Sequence, residues 1–102
     1  MLSIMIVDDE EMLHELYSRL LEIKGHQVVA SAYNGVEAVT KYSGMEERPD
    51  LVLMDHRMPV KNGLDAMREI LDIDASAKVV FITADAAVAE RAMAMGASDV
   101  LL

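Results

Sequence analysis

Four residues at three distant places in the chain carry side chains suited to a single chemistry. Asp8 and Asp9 follow one apolar run, Asp55 ends a second and Thr83 ends a third. Carboxylates are hard oxygen ligands. Magnesium takes one or two of them, keeps several waters and accepts phosphate oxygens. Three carboxylates in one place repel, so at least one pKa rises unless a cation binds. A carboxylate is also a nucleophile that can become an aspartyl phosphate. Magnesium on Asp8 and Asp9 would offset charge on the transferring group, leaving the protein mainly to position it. The Thr83 hydroxyl can donate to a phosphate oxygen, and small Ala84 beside it leaves room for a donor. Taken singly, each residue has a simpler use. An Asp pair suits a helix entry, Asp55 could be a polar strand end, and Thr83 could be there for strand propensity. Their joint occurrence after three apolar runs favours the phosphoryl chemistry, with Asp55 as acceptor.

Those runs must be strands whose ends share a rim. Leu2–Val7 and Leu51–Met54 are apolar or nearly so throughout, as in strands buried on both faces of a parallel sheet. Gln27–Ala32, Lys78–Thr83 and a segment from Ser98 read as three more strands. Between them lie helical patterns. Leu13, Leu16, Tyr17, Leu20 and Leu21 form one stripe, ending at Lys24-Gly25. A short helix runs from Val36 to about Tyr42, and Leu64, Met67, Ile70 and Leu71 mark another. Ala86–Met95 is a fourth, closed by Gly96. The alternation predicts an α/β fold, a doubly wound parallel five-stranded sheet with right-handed crossovers. By analogy with flavodoxin-like sheets the strand order is 2-1-3-4-5, which sets Asp8-Asp9 and Asp55 at the switch point.

The totals agree. One domain fits 102 residues, and 53% apolar content argues against disorder. A net charge of −9 argues against binding nucleic acid or a membrane surface and fits a cation or a basic partner. There is no cysteine, hence no disulfide or thiolate chemistry. No run reaches transmembrane length and none resembles a signal peptide, so the expected location is cytoplasmic.

Four motifs in register extend the reading: Val7-Asp8-Asp9-Glu10, Asp55-x-x-Met58-Pro59-x-x-x-Gly63, Thr83-Ala84 and Gly96-Ala97-Ser98. In these the chain resembles a response-regulator receiver domain of two-component signalling along essentially its whole length. The resemblance implies that Asp55 is the phosphoacceptor. It implies that Asp8, Asp9, Asp55 and the Arg57 backbone carbonyl hold magnesium, and that Thr83 and the Ala84 backbone N–H contact the phosphoryl group. The donor would be a phosphohistidine on a histidine kinase. The acceptor would switch contacts with a downstream protein or output domain rather than turn over substrate.

The match departs at the end. The family's lysine after the fifth strand would follow Leu102, so the expectation is a receiver over residues 1–102 that lacks this lysine and the last helix. Lys61, in the loop after the third strand, is no substitute. The sheet face left open would then favour a homodimer or strand swapping. Two other functions compete. A phosphatase or phosphotransferase with an aspartyl-phosphate intermediate usually needs a second carboxylate two residues past the nucleophile, and Arg57 stands there. A non-phosphorylated pseudo-receiver would have no use for the intact Asp8, Asp9, Asp55 and Thr83. His14, His26 and His56 are scattered, and each is expected on a surface or helix face rather than on a metal.

Overall fold

The computed structural model describes residues 1–101. The elements run β1 (Ser3–Val7), α1 (Glu11–Ile23), β2 (Gln27–Ala32), α2 (Gly35–Gly44), β3 (Leu51–Asp55), α3 (Gly63–Ile73), β4 (Val79–Ile82), α4 (Ala86–Met95) and β5 (Asp99–Leu101). All neighbouring strands pair in parallel, in the order β2-β1-β3-β4-β5. This is the expected α/β doubly wound sheet with the flavodoxin-like order. From β1 the chain steps outward to β2, then returns and steps the other way through β3, β4 and β5. Right-handed crossovers therefore put α1 on one face and α2, α3 and α4 on the other.

Local chemistry sets the helix ends. Asn34 and Asn62 cap α2 and α3 by accepting from the Glu37 and Asp65 N–H groups at 2.8 and 3.0 Å. Asp85 caps α4 by accepting from Ala87 and Val88. α4 ends at Gly96, whose φ of 115° is a left-handed conformation open to glycine.

The main core lies between the sheet and α2–α4. Met5, Val7, Val52, Met54, Val79 and Phe81 meet Ala38, Tyr42, Met67, Ile70 and Ala92 there. Tyr42 is buried, and its hydroxyl donates to Asp74 at 2.8 Å. The opposite face is less evenly covered. Ile4 and Ile6 are fully buried. Leu53, Val80 and Ile82 are half-buried, and Leu101 is exposed. β3 is therefore not closed on both faces as its unbroken apolar run implied: residues 52 and 54 are buried, while 51, 53 and 55 are intermediate.

α1 is also rotated from the expected stripe. His14 is its one buried residue, flanked by half-buried Leu13, Tyr17, Ser18 and Leu21, whereas Leu16 and Leu20 are about half exposed, at 50% and 48%. The helix has apolar residues around most of its circumference, so spacing alone did not fix its inward face. α2 spans Gly35–Gly44, so the short helix expected to about Tyr42, fading through Ser43-Gly44, is helical to that end.

Candidate functional site

Parallel register places the predicted residues together. Val7 pairs with Met54, and Asp55 pairs with Ile82. Asp8, Asp55 and Thr83 consequently emerge side by side at the C-terminal ends of β1, β3 and β4. Asp8, Asp9 and Asp55 each present a carboxylate oxygen within 4.8 Å of the others. On the other side of Asp55 opens a cleft of about 610 Å³ lined by Asp55, His56, Arg57, Thr83, Ala84, Asp85 and Ala86. Asp55 is the member common to the carboxylate cluster and the cleft.

Asp8 is held firmly. It is only 4% exposed. Its N–H donates to the Ala32 carbonyl at 3.1 Å, and its Oδ1 accepts from the Glu10 N–H at 2.9 Å. Burial raises its pKa, followed by repulsion from Asp9, against the lowering Glu10 bond. Asp55 is pushed further, to about 6, by burial first and then by the Asp8 charge. Carboxylates that are buried and set beside one another behave in this way. Oxygen donors of this number and spacing suit a hard divalent ion. The Tyr17 hydroxyl lies in the same field: burial raises its pKa, then Asp8, Asp55 and Glu10.

Thr83 is fixed by its N–H donating to the Leu101 carbonyl at 3.1 Å. Its Oγ1 accepts from the Asp85 N–H at 3.1 Å. A hydroxyl has one donor besides its acceptor lone pairs, so that bond leaves the Thr83 proton available to the cleft. Arg57 has an exposed side chain at the cleft edge. Lys61 is committed elsewhere, its ammonium paired with the Glu69 carboxylate on α3.

The loop after β3 positions Asp55 by close backbone packing. The Gly63 N–H donates to the His56 carbonyl at 3.0 Å. A Cβ on Gly63 would lie 2.9 Å from His56 Cα and from Phe81 Cζ, and closer still to the Asp55 carbonyl oxygen. Earlier in the loop, the Lys61 N–H donates back to the Pro59 carbonyl at 2.7 Å around Val60, whose φ is 70°. This is a tight γ-turn, strained for a β-branched residue. Val60 is 83% exposed, so its side chain returns little packing. Val60→Asn should raise stability by about 1 kcal/mol. Urea unfolding reads this directly, and an unchanged or lower midpoint would count against the strain.

None of the three histidines is fully exposed. His14 lies on the inward face of α1, 5% exposed and stacked 4.3 Å from the Tyr33 ring. Its Nε2 sits 2.7 Å from the Asp8 carbonyl oxygen, to which it must donate. A carbonyl cannot donate, so the geometry fixes the N–H on Nε2. His14 thus braces the backbone beneath a cluster carboxylate, and nothing in its sequence spacing signalled that. His56 is half-buried rather than on a surface, and its Nδ1 has no partner among the described residues. Burial, then Arg57 and Arg91, lower its pKa. His26 is also half-buried, its Nδ1 accepting from the Leu2 N–H at 3.1 Å.

The arrangement of three carboxylates and a hydroxyl at parallel strand ends agrees with the comparison with known families. The model for the response regulator receiver domain matches residues 4–102. The chain belongs to the response regulator receiver family. This receiver domain is 38% identical over 101 residues to the chemotaxis protein CheY of Thermotoga maritima, a match covering 97% of the chain and 82% of that protein. Its fold superposes on a response regulator receiver domain protein from Clostridium thermocellum with a TM-score of 0.91 and 31% identity, covering 99% of this chain and 81% of that one. Superposition on the response regulator TrrA from Thermotoga maritima, solved in complex with Mg(2+)-BeF, gives 0.87 and 30% identity, covering all of this chain and 86% of that one. Among the described residues no helix is long and apolar enough to cross a membrane.

Proposed function

We propose that this receiver domain takes a phosphoryl group onto Asp55 from a phosphohistidine of a histidine kinase. The observation that carries the reading is the meeting of Asp55 with Asp8 and Asp9 on one side and with the Thr83–Asp85 cleft on the other. An Asp55 carboxylate oxygen bonds to phosphorus as the phosphorus–nitrogen bond of the donor breaks, and the imidazole leaves. The Thr83 hydroxyl and the Ala84 N–H receive the phosphoryl oxygens. Asp8, Asp9, Asp55 and the Arg57 backbone carbonyl are the groups to hold magnesium, which when bound offsets the charge of the transferring group. The exposed Arg57 side chain, two residues beyond the acceptor, cannot serve as a carboxylic general acid, so the domain acts as a switch in the cytoplasm rather than as a turnover enzyme. The modified Asp55 biases the loops after β3 and β4, and with them contacts to an output domain or downstream protein. The half-covered face of β3–β5, with Leu101 exposed, is where self-association through the sheet would occur.

Incubation with magnesium and acetyl phosphate, followed by intact-mass measurement, tests the assignment. One hydrolytically labile phosphoryl adduct is expected, and chelating the metal before the donor is added should prevent it. Turnover of unrelated phosphoesters would point to an enzyme, and absence of any adduct to a binding module without chemistry.

A further inference from the structure

Packing alone does not explain a histidine at position 14. His14 is the one buried residue of α1, and its Nδ1 is buried without a partner among the described residues. A buried polar atom with no partner destabilises a fold, and leucine would fill the same place without that defect. The other ring nitrogen accounts for the residue type. Nε2 lies 2.7 Å from the Asp8 carbonyl oxygen and donates to it. β1 ends at Val7, so this carbonyl lies past the last paired residue of the strand and takes its bond from the imidazole. The Asp8 N–H donates to the Ala32 carbonyl, and its Oδ1 accepts from the Glu10 N–H. With His14, the residue is held at its amide, its carbonyl and its carboxylate.

The histidine is itself held. Its ring stacks against Tyr33 in the turn between β2 and α2. The Tyr33 N–H donates to Glu37 Oε1 at 3.2 Å, and the Glu37 N–H donates to Asn34 Oδ1 at 2.8 Å, so the turn is tied to the first turn of α2. Gly35 follows, and its N–H donates to the Lys61 carbonyl at 3.1 Å. A Cβ on Gly35 would lie 2.8 Å from the Lys61 side chain, so the two segments are in direct contact. Lys61 belongs to the loop that follows Asp55. One turn thus supports both segments that carry the clustered carboxylates, Asp8 through Tyr33 and His14, and the Asp55 loop through Lys61.

Rigidity of the oxygen ligands decides between hard divalent ions. Magnesium demands near-ideal octahedral geometry, whereas calcium accepts longer bonds and an irregular set of oxygens. A site loosened at one carboxylate therefore loses magnesium first. Resting on the ion site proposed for Asp8, Asp9 and Asp55, we propose that His14 is a positioning residue that makes this site select magnesium over calcium by fixing the Asp8 main chain.

Calorimetric titration of the metal-free chain with magnesium and, separately, with calcium tests the proposal. His14→Leu keeps an apolar side chain against Tyr33 but cannot donate. It should lower magnesium affinity several-fold and leave calcium affinity nearly unchanged. His14→Gln carries an amide N–H as many bonds from Cα as Nε2, and should restore most of the magnesium affinity. His14→Asn, one bond shorter, should behave as His14→Leu does and repeats the comparison if the leucine variant does not fold. Loss of both ions in equal proportion would mean general loosening and overturns the proposal. So does magnesium binding by His14→Leu or His14→Asn at the wild-type level, or a His14→Gln variant no better than His14→Asn. A wild type that binds calcium and magnesium equally well overturns the selectivity, and one that binds neither removes the ion site itself and the proposal with it.

Discussion

Asp55→Asn is expected to abolish the phosphoryl adduct and at the same time to make the metal-free protein more stable. The amide keeps the shape and most hydrogen-bonding capacity of the carboxylate but carries no charge. In the wild type, burial and the Asp8 charge raise the Asp55 pKa to about 6 from 3.8. A shift of that size corresponds to ~3 kcal/mol at 1.36 kcal/mol per unit. The partial exposure of Asp55 lets water screen the interaction, so about 1–2 kcal/mol is the expected gain at neutral pH. The sign follows from proton binding. Between about pH 4 and 6 the folded wild type holds more protons at Asp55 than the unfolded chain does, so this contribution is full below that window and lost as pH rises through it. The stability difference between Asp55→Asn and wild type should therefore grow from about pH 4 to about pH 6 and then level off. Taking the difference cancels Asp50 and Asp74, whose pKa values are lowered by hydrogen bonds from Ser3 and from Ser76 and Tyr42. Magnesium should stabilise the wild type and do little for the variant. Urea unfolding with chelator and with magnesium supplies all four comparisons. A variant no more stable than wild type in chelator would show that the crowded carboxylates carry no strain.

Gly63→Ala is expected to damage the fold severely for a change of one methyl group. The added carbon would press on the Asp55 carbonyl oxygen, the His56 backbone and the Phe81 ring. Two of these are main chain and the third is a fully buried aromatic, so relief requires moving β3 or the start of α3. Overpacking of this kind costs about 3 kcal/mol, a large share of the 5–15 kcal/mol typical of a domain. Because the contact lies on the acceptor's own carbonyl, magnesium affinity should fall together with the unfolding midpoint. Gly44→Ala is the control. Gly44 ends α2 with nothing within 4 Å of a built Cβ and no positive φ, so stability should hold or rise slightly. Equal behaviour of the two variants would refute the steric account.

The sheet was legible in the sequence because each strand is a short apolar run bounded by charge, glycine or asparagine, and because helical spacing recurs between the runs. The meeting of Asp8, Asp9 and Asp55 was legible for a related reason: parallel strands in a wound sheet bring their C-terminal ends to one rim whatever the sequence separation. What stayed hidden depends on tertiary detail. Leucines at 13, 16, 20 and 21 with Met12 and Ile23 leave several directions in which α1 could face inward. The structure turns His14 in, and the Asp8 carbonyl gains a buried donor. The strain at Val60 and the crowding at Gly63 come from the path of the β3–α3 loop over Phe81, which no local pattern records. The uneven cover of β3 likewise depends on which helices lie over each face, and an unbroken apolar run does not encode that.

The two aspartates that follow β1 are unequal partners for an ion. Asp8 is already immobilised by bonds to Ala32, Glu10 and His14, so little of its conformational freedom remains to be lost. Asp9 is exposed. Ordering an exposed side chain on binding costs on the order of 1 kcal/mol. In the ion site proposed above, the preorganised half would set where the ion goes, and the freely moving half would carry the entropic cost of closing around it. A change that loosened Asp8 would make both carboxylates bear that cost, so loss of the brace from His14 is expected to lower ion affinity although its ring does not belong to the carboxylate cluster.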